Sequence, residues 1–225
     1  MEQLITANMA TNIYWLGRHL ERVEASLIEI ARVFDSVIDS DKRAGFDLYQ
    51  KYEIDLNYTS AVDFLHQAIL GEHEANLYVI MKNARENAII SRSHTKYEAF
   101  GEMMELYNLF EKINNQKIEL RCEHVDQAFS LLREIWGTLP KREHSKIGDY
   151  FFRLGKLVEE ADFHVRFGRE GEIDGDGMVM YEIYSIIHLL APETDLRSFH
   201  KQSETMSQEE ILDAIYKMID TIIVE

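Results

Sequence analysis

Asn12 to Phe34 reads NIYWLGRHLERVEASLIEIARVF, and the spacing of its apolar residues decides the fold class. Ile13, Leu16, Leu20, Val23, Leu27, Ile30 and Phe34 recur in steps of three and four, which places all seven on one stripe of a helix. The spacing predicts one helix of about 25 to 30 residues. Trp15 lies off that stripe, so packing against another element or an interface must cover it.

Downstream, Leu77, Ile80, Met81, Ala84 and Ala88 repeat the same periodicity, as do Phe100, Met103, Met104, Tyr107 and Phe110. Met81, Met103 and Met104 are expected to fill core. Val125, Ala128, Phe129, Leu132, Ile135 and Trp136 predict a further helix, which Gly137 and Pro140 stop. Beyond that loop, Ile147, Tyr150, Phe151, Leu154, Leu157, Val158, Ala161 and Val165 form a second long stripe. It runs out at Gly168 and at the glycine-rich loop Gly171 to Gly177. Met178 to Leu190 and Ser207 to Ile222 complete the helices, with Ser207 and Glu210 spaced as a capping box. Tyr49 to Tyr58 is open between a short strand and a helix start. No segment carries the sustained alternation of a sheet, so the fold class is all-α.

WLGRHLERVE at Trp15 to Glu24 aligns with RLGKLVEEAD at Arg153 to Asp162, keeping leucine, glycine, a basic residue and glutamate in register. Internal similarity of this kind reveals architecture. The expected architecture is a helical bundle of two related, tandemly duplicated units, residues 1–138 and a shorter second unit, 139–225, packed into one domain.

In both copies a glycine shares a helix edge with two acids: Gly17 with Glu21 and Glu24, and Gly155 with Glu159 and Asp162. Glycine inside a helix costs about 0.5–1 kcal/mol relative to alanine, so its use twice at matching places implies that another backbone comes close. Acids beside such an approach are partly buried and need cations or donors. Arg85 is the expected donor, gripping a carboxylate with its planar fork. Arg18 and Arg22 are expected to face solvent or a partner.

The chain has 24 basic and 40 acidic residues, a formal charge of −16. That field repels a phosphate backbone, so nucleic acid is not an expected partner. Cys122 is the single cysteine, which leaves no intrachain disulfide or thiolate cluster and suits a reducing cytoplasm. The first residues do not read as a secretory leader, and no run approaches the roughly 20 apolar residues of a membrane span.

Several constellations invite chemistry and fall short. A di-iron bundle needs two Glu-x-x-His pairs, and Asp63 with His66 supplies a single Asp-x-x-His. Glu172, Asp174, Asp176 and Gly177 begin like an EF-hand loop, but position twelve is Ile183, with Glu182 one residue out of place. Glu123–His124 and Glu143–His144 read as surface pairs. No P-loop, dinucleotide fingerprint or nucleophile elbow is present. No catalytic residue, metal ligand or cofactor is assigned.

WLGRHLER at Trp15 to Arg22 resembles the signature of the alpha-E family, bacterial all-helical proteins named for a glutamate–arginine pair, here Glu21 and Arg22. NARENA at Asn83 to Ala88, with Arg85 and Glu86, resembles a second segment of that family, and RLGKLVEEAD resembles the repeat of the first. The resemblance runs from about Asn12 to about Arg166. The chain departs from it at Glu160, where the family usually has arginine, and at His73 to Asn76, where an Asn-Pro helix start is common. The resemblance implies a place beside ATP-grasp-like and transglutaminase-like proteins in a peptide synthesis or modification system, hence a non-catalytic accessory or scaffold. The residues implied are Gly17, Arg18, Glu21, Arg22, Glu24, Arg85, Glu86, Gly155, Glu159 and Asp162, of which Glu21, Glu24, Arg85, Glu159 and Asp162 could instead form a purely structural salt-bridge network. The alternative is an enzyme or metal-binding bundle whose two repeats bring those carboxylates together.

Overall fold

The computed structural model describes residues 5–39, 41–139, 147–169, 178–203 and 205–224. Among these, every regular element is helical. In chain order they are α1 (Ala7–Asp39), α2 (Ala44–Gln50), α3 (Ala61–Leu70), α4 (Leu77–Ile90), α5 (Tyr97–Gln116), α6 (Cys122–Thr138), α7 (Ile147–Arg166), α8 (Met178–Leu190), α9 (Leu196–Ser203) and α10 (Gln208–Val224), with a 3-10 turn at Arg92–His94. No described helix is long and apolar enough to cross a membrane.

The chain divides into two compact units, one of residues 1–18 with 140–225 and the other of residues 19–139. The first turns of α1 thus go with the C-terminal helices.

In the unit of residues 1–18 and 140–225, the α1 stripe contributes Ala10, Ile13 and Tyr14 to a core shared with α7, α8 and α10. Phe151, Leu154 and Val158, then Ile183, Ile186 and Ile187, and Leu212, Ile215 and Ile219 supply its other walls. Fully burying a side chain of this size contributes about 1.5–3 kcal/mol, so four short apolar stripes suffice to hold the bundle. Ser207 and Glu210 form the expected box at the start of α10: the Ser207 N–H donates to Glu210 Oε2 at 2.7 Å, and the Glu210 N–H to Ser207 Oγ at 3.3 Å. That reciprocal pairing holds the Glu210 carboxyl below its usual range.

In the unit of residues 19–139, α5 packs along α6 and α4, and α3 along α4 and α5. Leu77, Ile80, Met81, Ala84 and Ala88 are all buried, as are Met103, Tyr107 and Phe110, whereas Met104 is half-buried. The Tyr49 to Tyr58 stretch holds no strand. It closes α2 and turns at Glu53, whose φ of 60° breaks any alternation. Neither α2, α3 nor α9 is evident in the periodicity, because each is too short to repeat it. The α3 start is fixed by its cap instead, Ser60 accepting from the Asp63 N–H at 3.1 Å. At α4 the cap is Asn76, 3% exposed, whose Oδ1 accepts from the Val79 N–H at 2.8 Å while its Nδ2 donates to the Gly71 carbonyl at 2.7 Å.

Candidate functional site

The paired glycines of the sequence mark where α1 and α7 meet, within the unit of residues 1–18 and 140–225. A Cβ added to Gly17 would strike the Phe152 carbonyl oxygen and lie 3.0 Å from the Lys156 nitrogen. One added to Gly155 would strike the Tyr14 carbonyl oxygen and lie 3.2 Å from the Arg18 nitrogen. Only residues without a side chain permit that approach, which brings each Cα–H against a carbonyl of the other helix. The two glycines are thus one contact seen from both sides.

One helical position beyond Gly17, Arg18 is drawn into the same crossing. Its Nε donates to Glu159 Oε2 at 2.7 Å, with Arg18 7% and Glu159 2% exposed. Its Nη2 donates to the Tyr216 hydroxyl at 3.3 Å and lies 4.0 Å from Asp162 Oδ2. The guanidinium is also flanked by two rings, 5.1 Å from the centroid of Trp15 and 5.1 Å from that of Tyr216. The expectation that Arg18 faces solvent is therefore corrected. The close glycine contact pulls α7 so near α1 that Arg18 cannot leave the crossing, and the buried Glu159 supplies the charge it needs.

Electrostatics follow from this packing. Burial disfavours the Arg18 charge, but Glu159 together with the Tyr14 and Tyr216 phenols outweighs it, and its pKa rises above the ordinary value. Burial raises the Tyr14 phenol, against the pull of Arg18. Burial likewise pushes the Tyr216 phenol up to about 12, again opposed by Arg18. Asp162 is shared with Arg166, 3.5 Å away one turn along α7.

The remaining predicted residues lie in the second unit. Glu21 is 8% exposed, and Arg22 and Glu24 are half-buried, all on the continuation of α1. Arg85 is not the cross-helix donor expected of it. It donates to its chain neighbour Glu86 at 2.7 Å and stacks 4.9 Å from the centroid of Tyr107, because it sits at the edge of α4 facing α5 rather than an acid. Asp63 accepts from the Thr59 N–H at 2.7 Å as a capping group, and His124 Nδ1 accepts from the Arg121 N–H at 3.1 Å at the start of α6. The Glu172 to Gly177 loop and the Glu143–His144 pair lie outside the described residues. Among the described residues no three His, Cys, Asp or Glu side chains are grouped to hold a metal ion.

Residues 5–216 match the family model of Alpha-E, a predicted alpha-helical domain with a conserved ER motif. The chain belongs to the Alpha-E family. Its only Glu-Arg step is Glu21–Arg22, on α1. No curated protein and no solved structure matches the chain. The Alpha-E match takes in α1 through Tyr216, and so includes both partners of the α1–α7 crossing and the phenol that Arg18 reaches.

Tyr14 and Tyr216 were not evident as site residues in the sequence. Tyr216 lies 198 residues from Arg18, and a lone tyrosine on an amphipathic helix carries no spacing signal that marks it as an arginine partner. Tyr14 immediately precedes Trp15, and the two rings meet edge to face, 5.9 Å between centroids.

Proposed function

We propose that this Alpha-E protein arose by tandem duplication and works as a non-catalytic helical accessory component in the cytoplasm, docking an ATP-grasp-like or transglutaminase-like enzyme of a peptide-modifying system. The observation that carries the reading is the mutual neutralisation at the α1–α7 crossing. Arg18 spends its Nε on Glu159 and its Nη2 on Tyr216, with Asp162 shared by Arg166. Groups tied to one another in this way fix a helix pair, whereas a general acid or base must be free to exchange its proton with a substrate. The charged motif residues in this unit therefore support a structural assignment better than a catalytic one.

The duplication is supported by the reciprocity of the glycine contacts. The shift of 138 residues that carries Gly17 to Gly155 also carries Tyr14 to Phe152 and Arg18 to Lys156. Those are the very backbone atoms each glycine meets on the opposite helix. Two copies of one helix related by a local twofold produce such mutual contacts.

Affinity purification of the tagged chain from its native cells, with mass spectrometry and metal analysis on the same sample, tests the reading. Recovery of a ligase-like or transglutaminase-like protein at constant stoichiometry is expected. A lone protein carrying one equivalent or more of iron, manganese or zinc would overturn it in favour of a metal-dependent enzyme.

A further inference from the structure

Beside the Arg18 clasp, α1 and α10 enclose an open groove of about 630 Å³. Thr11, Trp15 and Arg18 face it from α1, and Tyr216, Ile219 and Asp220 from α10, with Ile223 extending the apolar wall. We infer that this groove binds a short peptide segment carrying a basic side chain next to an apolar one. The inference stands apart from the accessory role and does not depend on which enzyme docks the protein.

Size comes first. Pockets that hold small ligands run from roughly 300 to 1,000 Å³, so the groove accommodates a few residues of peptide rather than a lone ion. Its walls are mixed in the way such a ligand requires. Trp15 is 39% exposed, a large apolar surface left in water, and together with the half-buried Ile223 it offers a wall for an aliphatic side chain.

Charge then selects the sign. Among the described residues, the ionised groups lining the groove are Arg18 and Asp220, and Arg18 is already matched by Glu159 at 2.7 Å. Asp220 is exposed, and no ion pair to it exists among the described residues. The groove therefore presents a net negative charge, on a chain whose formal charge of −16 concentrates cations and repels anions.

Spacing distinguishes a peptide from a simple amine. Tyr216 and Asp220 are four residues apart on α10, about 6 Å along the axis, with Ile219 and Ile223 on the same face. The Tyr216 oxygen accepts from Arg18, which leaves its own proton to donate to a ligand carbonyl. A backbone carbonyl at Tyr216, a basic side chain at Asp220 and an aliphatic side chain over Trp15 and Ile223 match the phenol, the carboxylate and the apolar surface that the groove presents.

The chain contains two tryptophans, Trp15 and Trp136, so Trp136→Phe leaves Trp15 as the sole reporter. Acetyl-Leu-Lys-Leu-amide titrated into this variant is expected to give a saturable change in Trp15 emission, and the norleucine counterpart to bind about tenfold more weakly, the loss expected of one charged contact. Asp220→Asn should abolish that discrimination between the two peptides. Absence of saturation up to about 1 mM, a limit that corresponds to negligible affinity, or equal affinity for both peptides, overturns the inference. So does spermidine competing as effectively as the lysine peptide, which would make the groove an amine site. Calorimetric titration of the unsubstituted chain gives the same comparison if Trp136→Phe does not fold.

Discussion

Replacing Gly17 or Gly155 by alanine tests the α1–α7 crossing directly. In a solvated helix the change is favourable, by about 0.5–1 kcal/mol, because alanine loses less backbone entropy. At Gly17 the new Cβ would overlap the Phe152 carbonyl oxygen and sit 3.1 Å from its carbon, and at Gly155 it would overlap the Tyr14 carbonyl and sit 2.9 Å from that carbon. Backbone atoms cannot rotate aside as a side chain can, so the helices must part. Overpacking of this kind costs typically about 1–3 kcal/mol, and occasionally more. With the propensity gain subtracted, the expected net loss is about 0.5–2 kcal/mol, or a fall in Tm of roughly 1–8 °C for a chain of this size. Gly101 is the control, since nothing lies within 4 Å of a Cβ built there. Gly101→Ala should therefore stabilise by the propensity term of about 0.5–1 kcal/mol. Urea denaturation followed by circular dichroism at 222 nm reads all three. The double variant adds a sharper criterion. Both glycines serve one contact, so once the first alanine has separated the helices the second should cost less, and the two losses should fall short of additivity. Stabilisation by Gly17→Ala and Gly155→Ala comparable to that at Gly101, or strictly additive losses, would refute the crossing as described.

Arg18→Met removes the cation paired with the buried Glu159 and should cost about 3–5 kcal/mol in urea denaturation, whereas Arg18→Met combined with Glu159→Leu should regain most of it, because an apolar pair has no charge to desolvate. Asn76→Ala removes the α4 cap together with the partner of the Gly71 carbonyl, and a loss of about 2–3 kcal/mol is expected in the same assay. Alkaline titration should show the tyrosine clasp. Burial raises Tyr216 to about 12 in the folded chain from its ordinary 10.0, so its contribution to stability is complete below pH 10 and is lost as pH climbs through about 12. Difference absorbance at 295 nm between the chain and Tyr216→Phe should place that phenol's ionisation late, and ionisation near pH 10 would contradict its burial.

The long helices were legible because their apolar residues recur often enough to leave one reading. Ile13 to Phe34 fixes its face seven times over, and Leu77 to Ala88 and Ile147 to Val165 do nearly as well. The helices α2, α3 and α9 were not legible, since about two to three turns of helix do not establish a period. What defines α3 is the geometry of Ser60 with Asp63, a signal that competes with every other Ser-x-x-Asp in a chain rich in acids. The site divides along the same line. Gly17 and Gly155 could be read, because a glycine repeated in register inside a helix has few uses other than close approach.

Their consequence could not be read, and it concerns Arg18. From the helical wheel alone this residue flanks the apolar stripe and belongs in solvent, beside Trp15. The glycine contact changes the distance between the backbones of α1 and α7, and that distance determines what a flanking side chain meets. With α7 against Gly17, Glu159 lies within hydrogen-bonding reach and α10 brings Tyr216 over the other face of the guanidinium. Arg85, on a helix without such a glycine, remains at a surface edge with its neighbour Glu86. The two arginines differ less in local sequence than in how closely their helices are allowed to pack, so the inward assignment of Arg18 depends on Gly17 and Gly155. If either glycine is widened, the Arg18–Glu159 pair should become more exposed, and Tyr216 should titrate at lower pH as its burial is relieved.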